Sequence, residues 1–392
     1  MHVPTTQQTR LLVAAVCILV MVLVRQFGKQ TVTGEPVAPA PGEAFRQRIV
    51  AVGDLHGDIH NAKKVFRMAG LIDKRDAWAA GSDIFVQTGD IVDRGGYAID
   101  IYKMMQRLRG EAAAEGGKVV SVMGNHEFMN ALSDWRYVTP LDIKQFGGSQ
   151  QRREAMSIDG WLGQEWLANY SVTARVPMSP FPDAPTLSFT HGSLRPSFSN
   201  LTPYPDAINK LGHVLLTRAM TPPLAPPYPP NPYQGLPEGT TKDEQELYGG
   251  GGPLWARGLA EGPEDTVCKW AKEIKEKIGV RRIIGGHTPN FEHIVSRCDG
   301  QVIIIDTGIS SAYGGVLSAL EIIYTLTPVP DEDDDNNGHR EDPLAPDQQA
   351  QSPMEVEPLL RQGGKYIERE EVYAIYEKHR QLLAREVQQI IL

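Results

Sequence analysis

The chain of 392 residues is 41% hydrophobic and 22% charged, the balance of a globular protein with room for one large domain or two. Its net charge of −9 includes an unbroken acidic run at residues 331–335, and no basic cluster offers the footprint of a nucleic-acid binder. Three cysteines are too few for a disulfide framework; Cys17 lies in an apolar run, and Cys268 and Cys298 are expected as buried free thiols rather than as a bridge.

Residues 11–24 are uninterrupted apolar sequence, preceded by Arg10 and followed by Arg25 and Lys29. That length is short for a membrane span and suits a signal-peptide core. Pro41 follows the small-residue pair of Ala38-Pro39-Ala40 and disfavours cleavage there. Residues 1–29 therefore read as an uncleaved signal anchor, with a cleaved signal peptide as the alternative. The flanking charges do not fix orientation. The sequons Asn169-Tyr170-Ser171 and Asn200-Leu201-Thr202 favour a lumenal body in the ER, Golgi or vacuole, or a secreted one if the segment is cleaved. Residues 30–45, rich in Pro, Gly and Thr, read as a linker.

From residue 46 an α/β pattern begins. The run Ile49-Val50-Ala51-Val52 reads as a buried strand and leads into Gly53-Asp54-Leu55-His56-Gly57-Asp58, followed by a helix near residues 60–68. Asp83-Ile84-Phe85-Val86-Gln87-Thr88 leads into Gly89-Asp90-Ile91-Val92-Asp93-Arg94-Gly95 and a helix near 97–109. Lys118-Val119-Val120-Ser121-Val122-Met123 leads into Gly124-Asn125-His126-Glu127. Further on, Leu187-Ser188-Phe189-Thr190 ends at His191-Gly192, and Arg282-Ile283-Ile284 ends at Gly285-Gly286-His287-Thr288. Five apolar runs thus end in glycine beside Asp, Asn or His, at the carboxyl ends of strands where open α/β sheets bind ligands.

Residues 131–186 read as an insertion whose Trp161, Trp166 and Tyr170 are core aromatics. Residues 198–253, with prolines from 222 to 227 and glycines from 249 to 252, read as a surface excursion with little core. The catalytic domain closes near residue 327, after a buried strand and turn at 303–308 and a β-like run from 315. Residues 328–363 are acidic and Pro-rich, the composition of a disordered segment. Residues 364–392 carry apolar residues near helical spacing, including Val372, Ile375, Tyr376, Leu382 and Val387, and are expected to form an amphipathic helix.

The candidate ligands are Asp54, His56, Asp90, Asn125, His191 and His287. Six oxygen and imidazole donors without a thiolate suit two adjacent Mn, Fe or Zn ions better than one tetrahedral zinc. Asp90, central in order and framed by glycines, is the expected bridge. Two such ions can share a hydroxide and clamp both oxygens of an in-line displacement, which implies phosphoester hydrolysis. His126, adjacent to Asn125, points elsewhere and is the candidate general acid, with Asp93 to hold its ring. Arg94 and Arg257 are the candidate phosphate clamps. His2, His60, His213, His293 and His339 follow no strand–glycine pattern and read as surface or structural.

These blocks, GDLHGD, GDIVDRG, GNHE, HGS and GGHTP, resemble the signatures of the calcineurin-like metallophosphoesterases within the phosphoprotein phosphatase superfamily, across about residues 48–325. Within it the sequence is most similar to the Shewanella-like protein phosphatases, through Asp159-Gly160-Trp161-Leu162-Gly163, Pro253-Leu254-Trp255-Ala256-Arg257-Gly258 and Asp306-Thr307-Gly308-Ile309-Ser310. The resemblance implies a four-layer α/β/β/α sandwich. It also implies Asp54, His56 and Asp90 on one metal, with Asp90, Asn125, His191 and His287 on the other. His126 with Asp93 becomes the acid pair, and Arg94 with Arg257 binds phosphate. His191 is followed by Gly-Ser instead of the commoner Gly-Gly.

The expected function is a metal-dependent phosphatase acting on phosphoserine, phosphothreonine or phosphotyrosine, by attack of a metal-activated hydroxide. The alternatives are a polyphosphate or dinucleoside-polyphosphate hydrolase of the same fold, and a catalytically inactive, membrane-anchored binding module.

Overall fold

The computed structural model of the chain describes residues 43–222, 231–329 and 364–392. The apolar run 11–24, most of the linker, the prolines 223–227 and nearly all of the acidic segment lie outside the described residues. Among the described residues no helix is long and apolar enough to cross a membrane.

Four parallel strands follow the sequence order: β1 Phe45–Val52, β2 Ile84–Gln87, β3 Lys118–Val122 and the short β4 Tyr170–Ser171. A second sheet is built from β5 Thr173–Pro177, β6 Thr186–Thr190, β7 Arg282–Gly285, β8 Val295–Arg297 and β9 Val302–Ile304, in the order β5-β6-β7-β9-β8. The chain then returns to the first sheet. β10 Ser318–Pro328 lies antiparallel to β1, and β11 Lys365–Tyr376 and β12 Arg380–Ile391 extend the sheet to seven strands.

Ile49, Ala51, Val86 and Val122 of the first sheet meet Val176, Leu187, Phe189, Ile284 and Ile303 of the second in one buried layer between the sheets. The other face of each parallel region is covered by helices. Val50, Val52 and Phe85 pack with Val65 and Phe66 of the helix Ile59–Met68, and with Tyr102 and Met105 of the helix Ala98–Ala114. Val267, Ala271 and Ile274 of the helix Glu264–Ile278 pack with Ile283 and Val302 in the same way. Alternate strand residues thus feed two separate cores, giving the expected four layers.

The carboxyl end of the chain differs from expectation. Residues 364–392 form a β-hairpin, not an amphipathic helix. In β11 the buried set is Tyr366, Glu368, Glu370, Val372, Ala374 and Tyr376, every second residue. Two of those six are glutamates, which hid the strand period and left the apolar residues looking helical. They are buried because Arg281 and Arg282 meet them: Arg282 Nε donates to Glu370 Oε1 at 2.7 Å, and Arg281 Nη2 to Glu368 Oε2 at 3.0 Å.

Three smaller expectations are also corrected. Cys268 and Cys298 are joined in a disulfide that ties the helix Glu264–Ile278 to the turn after β8. Their pairing depends on a helix face meeting a turn, which their spacing does not reveal. Trp166 is fully buried as expected, but Trp161 is 39% exposed at the start of its helix. The insertion 198–253 contributes more core than its composition suggests, since Ile208, Leu215, Leu216 and Met220 of the helix Asp206–Met220 are buried and so is Leu247.

Candidate metal centre and active site

The loops after β1, β2, β3, β6 and β7 all arrive at one place. The backbone must turn sharply to bring them there, and His56, Asp90, Asp93, Arg94 and His287 all hold positive φ, between 41° and 70°. Left-handed backbone at non-glycine residues costs energy and gathers where geometry is functional. The neighbouring glycines make room: a Cβ on Gly124 would stand 2.0 Å from Asp90 Oδ1, and Gly89 itself has φ +98°.

Asp90 is the hub. Its Oδ1 accepts the His126 backbone N–H at 3.0 Å, which leaves Oδ2 facing inward. Three imidazoles surround Oδ2, with the Nε2 atoms of His191, His56 and His126 at 3.3, 3.6 and 3.8 Å. Asn125 Oδ1 lies 2.8 Å from His191 Nε2, and His287 Nδ1 lies 3.1 Å from the same atom. Asp54 completes the set: its Oδ1 accepts the His287 N–H at 3.2 Å and stands 4.0 Å from His191 Nδ1. The six predicted ligands are thus brought together, and all are buried.

The tautomers follow from the outer partners. A carbonyl oxygen can only accept, so His191 Nδ1 donates to Thr88 O at 2.9 Å, His56 Nδ1 to Val92 O at 3.0 Å, and His287 Nε2 to Trp255 O at 3.1 Å. In its neutral form each ring then turns a bare nitrogen inward, and without a metal ion it is His191 that takes up the proton. Bare nitrogens face one another, two carboxylates and an amide oxygen, an array of acceptors that is stable only around positive charge. The donor set therefore fits divalent cations, with oxygen and imidazole ligands and their second nitrogens already anchored. Charge balance says the same. Burial disfavours a charge on His191, yet Asp90 and Asp54 outweigh it and push His191 up to about 10. Burial pushes His56 down to about 4, and it holds His287 down together with the charge on His191. Burial and the neighbouring Asp306 hold Asp54 well above the usual carboxylate range.

His126 differs from the other three rings. Its Nδ1 is 2.6 Å from Asp93 Oδ2, and Asp93 Oδ1 in turn accepts from Asn130 Nδ2 at 2.9 Å. Burial opposes its charge, but Asp90 and Asp93 raise His126 above its ordinary value. Its Nε2 faces the same space as His56 and Asp90, where a ligand or a proton donor belongs. Arg94 is half-buried, with its guanidinium over the rings of Tyr137 and Tyr313. Arg257 Nη1 donates to His287 O at 2.9 Å, which fixes it beside the second ligand group.

Glu127 has a part that the sequence reading left without a role. Its two oxygens accept the backbone N–H groups of Gly124 at 2.7 Å, Ile91 at 2.8 Å and Asp90 at 2.9 Å, and the Tyr102 hydroxyl at 3.0 Å. One buried carboxylate thereby ties the β2 loop, the β3 loop and the helix Ala98–Ala114 together beneath the hub. Its place in the GNHE block was the available signal.

Two stacked sheets with a buried Asp/His/Asn cluster at their loop ends define a metal-dependent phosphoester hydrolase. The chain belongs to the calcineurin-like phosphoesterase family, whose model matches residues 47–291. The family binds two metal ions. An uncharacterised protein of Schizosaccharomyces pombe is 36% identical over 281 residues, covering 70% of this chain and 76% of that one. Shewanella-like protein phosphatase 1 of Plasmodium berghei is 29% identical over 267 residues, 67% of each chain. Shewanella-like protein phosphatase 2 of Arabidopsis thaliana is 46% identical over 100 residues, 26% of each. The resemblance to the Shewanella-like protein phosphatases is thus borne out by relatives of that name. The crystal structure of a cold-active protein-tyrosine phosphatase from a psychrophilic Shewanella species superposes with a TM-score of 0.55 at 22% identity, over 71% of this chain and 77% of that one, a likeness of fold.

Proposed function

We propose that the chain is a dinuclear-metal protein phosphatase, hydrolysing phosphate monoesters of serine, threonine or tyrosine side chains. The observation that supports this most is the convergence of two anchored imidazoles, His191 and His56, on one carboxylate oxygen of Asp90, with His287 Nδ1 turned onto His191 Nε2 beside them. Asp54, His56 and Asp90 would hold one ion, and Asp90, Asn125, His191 and His287 the other, with Mn, Fe or Zn suited to the donors. When bound, the two ions supply Lewis acidity, activating a water molecule and polarising the phosphoryl oxygens. Arg94 and Arg257 bind and orient the phosphoryl group, each offering parallel N–H donors. His126 passes the proton on Nε2 to the leaving oxygen, while Asp93 keeps the opposite nitrogen protonated and fixes the ring plane. Asn130 holds Asp93 in turn. The protein-phosphatase names of the relatives support the substrate class.

The test is metal analysis of the purified chain together with turnover of p-nitrophenyl phosphate, a phosphopeptide panel, polyphosphate and a dinucleoside polyphosphate. Two ions per chain with phosphopeptide turnover is the expected result. Activity confined to the polyphosphates would overturn the proposed substrate, and neither ion nor turnover would leave only a binding module.

The proposal also places the catalytic body in the lumen of the secretory pathway, anchored through residues 11–24. The Cys268–Cys298 bridge supports an oxidising compartment. Asn169 of the first sequon is exposed, with its Nδ2 donating to Glu165 Oε2 at 3.0 Å, a bond that a glycan there would replace. An endoglycosidase-sensitive mobility shift in the native host is expected; a chain with free thiols and no glycan would refute this placement.

A further inference from the structure

The arginine that follows the β2 loop is held without a carboxylate. Several buried or half-buried arginines in this fold meet one, as Arg48 meets Asp83 and Glu321, and Arg282 meets Glu370 and Glu386, while Arg153 and Arg175 lie over aromatic rings away from the centre. Arg94 has no ion pair among the described residues, and its Nε is buried without a hydrogen-bond partner. It is clamped by rings instead. The guanidinium carbon stands over the Tyr137 ring, 4.4 Å from its centroid, and over the Tyr313 ring, 4.7 Å from its centroid.

Each tyrosine is itself wedged against an imidazole of the centre. Tyr137 lies 5.1 Å from the His126 ring, and Tyr313 lies 5.3 Å from the His56 ring. Phe291 backs Tyr313 from outside at 6.0 Å. The main chain adds a further hold: the Arg94 N–H donates to Tyr137 O at 3.0 Å, at a residue whose φ is +61°. A continuous series of contacts, His126–Tyr137–Arg94–Tyr313–His56, therefore links two imidazoles of the centre through the arginine.

We propose that Tyr137 and Tyr313 are positioning residues that fix the plane of Arg94 by stacking, so that its in-plane N–H groups stay free for the phosphoryl oxygens. A carboxylate partner would fix the guanidinium equally well but would occupy those donors and cancel the charge that attracts phosphate. An aromatic face attracts the cation without accepting its hydrogen bonds, and so leaves its N–H donors open. Ordering the side chain before substrate arrives also removes part of the entropic cost of binding. This inference rests on the phosphate-binding part assigned to Arg94 above.

The test compares Tyr137→Leu, Tyr313→Leu, Tyr137→Phe and Tyr313→Phe in the metal-loaded full chain, alone and combined with Arg94→Ala. KM for p-nitrophenyl phosphate, inhibition by inorganic phosphate, and calorimetric binding of inorganic phosphate are read together. Each Leu variant is expected to weaken phosphate binding and raise KM by roughly 3–30-fold, the span of a cation–π contact from exposed to desolvated. The Phe variants keep the ring and should restore wild-type phosphate affinity. With Arg94→Ala in place, the Leu substitutions should have no further effect on phosphate binding. Equal losses in the presence and absence of Arg94, or Phe variants as impaired as Leu, would overturn the clamp. Because calorimetry needs no turnover, a chain that binds phosphate through the clamp yet hydrolyses nothing would refute the hydrolytic reading alone.

Discussion

Glu127→Gln is the substitution by which the tie beneath the hub is best tested. The native carboxylate presents acceptors only, and four close donors use them: three backbone N–H groups and the Tyr102 hydroxyl. Glutamine has nearly the same shape, but replaces one oxygen with an NH2 group. If the NH2 takes the place of Oε2, the Asp90 and Gly124 N–H groups face another donor; if it replaces Oε1, the Ile91 N–H and the Tyr102 hydroxyl lose their acceptor. Two backbone donors are orphaned in the first case and at least the Ile91 N–H in the second, since the Tyr102 hydroxyl can turn to accept; at about 1–3 kcal/mol each the expected destabilisation is about 1–6 kcal/mol. That is a large part of a typical total stability of about 5–15 kcal/mol. The assay is urea unfolding of metal-free protein at pH 7, with metal content and turnover measured on the folded fraction. Because Asp90 N–H is one of the groups affected, metal affinity should fall alongside stability. A variant within about 0.5 kcal/mol of wild type, an ordinary surface value, would refute this reasoning.

Other consequences are open to direct measurement. Asp90→Asn should strip metal from both positions and abolish turnover; near-wild-type metal content and rate would show that Asp90 does not join the two groups. His126→Asn should lower kcat by roughly 10²–10⁴-fold on substrates with poor leaving groups and much less on p-nitrophenyl phosphate, and an equal loss on both would remove His126 from the role of acid. In metal-free protein His191 is raised to about 10 while His56 is lowered to about 4. The His191 contribution is full below its unfolded value of about 6.5 and is lost as pH rises towards 10, whereas His56 destabilises the fold as pH falls below about 6.5. Unfolding midpoints of metal-free protein should therefore peak between pH 6 and 7 (roughly, from the same reference value) and decline on the alkaline side, and metal-loaded protein should lack that alkaline decline. Glu370→Ala leaves the fully buried Arg282 without its main partner and should cost about 3–5 kcal/mol in chemical unfolding.

The centre was legible because its chemistry is local. Each ligand sits within a few residues of a strand end, beside glycines that permit the turn, and the strands announce themselves as β-branched runs. Asp54, His56, Asp90, Asn125, His191 and His287 could be named for that reason. What escaped depends on partners far away in the chain. Glu368 and Glu370 look solvent-facing until Arg281 and Arg282, nearly ninety positions earlier, are placed against them. Cys268 meets Cys298 only once a helix is laid against a turn. The hold on Arg94 is likewise invisible in sequence, since Tyr137 and Tyr313 come from stretches far apart in the chain.

The hairpin that completes the first sheet begins beside the strand that precedes it. Pro328 pairs with Tyr366, and the Val329 N–H donates to Lys365 O at 2.8 Å, so the chain leaves and rejoins the body at adjacent points. The two ends of the connection between residues 329 and 364 are thus brought together by the pairing of β10 with β11. The join works as a clasp: so long as the two strands stay paired, the two ends of that connection are held together whatever its length, and lengthening it costs only a slowly growing closure entropy.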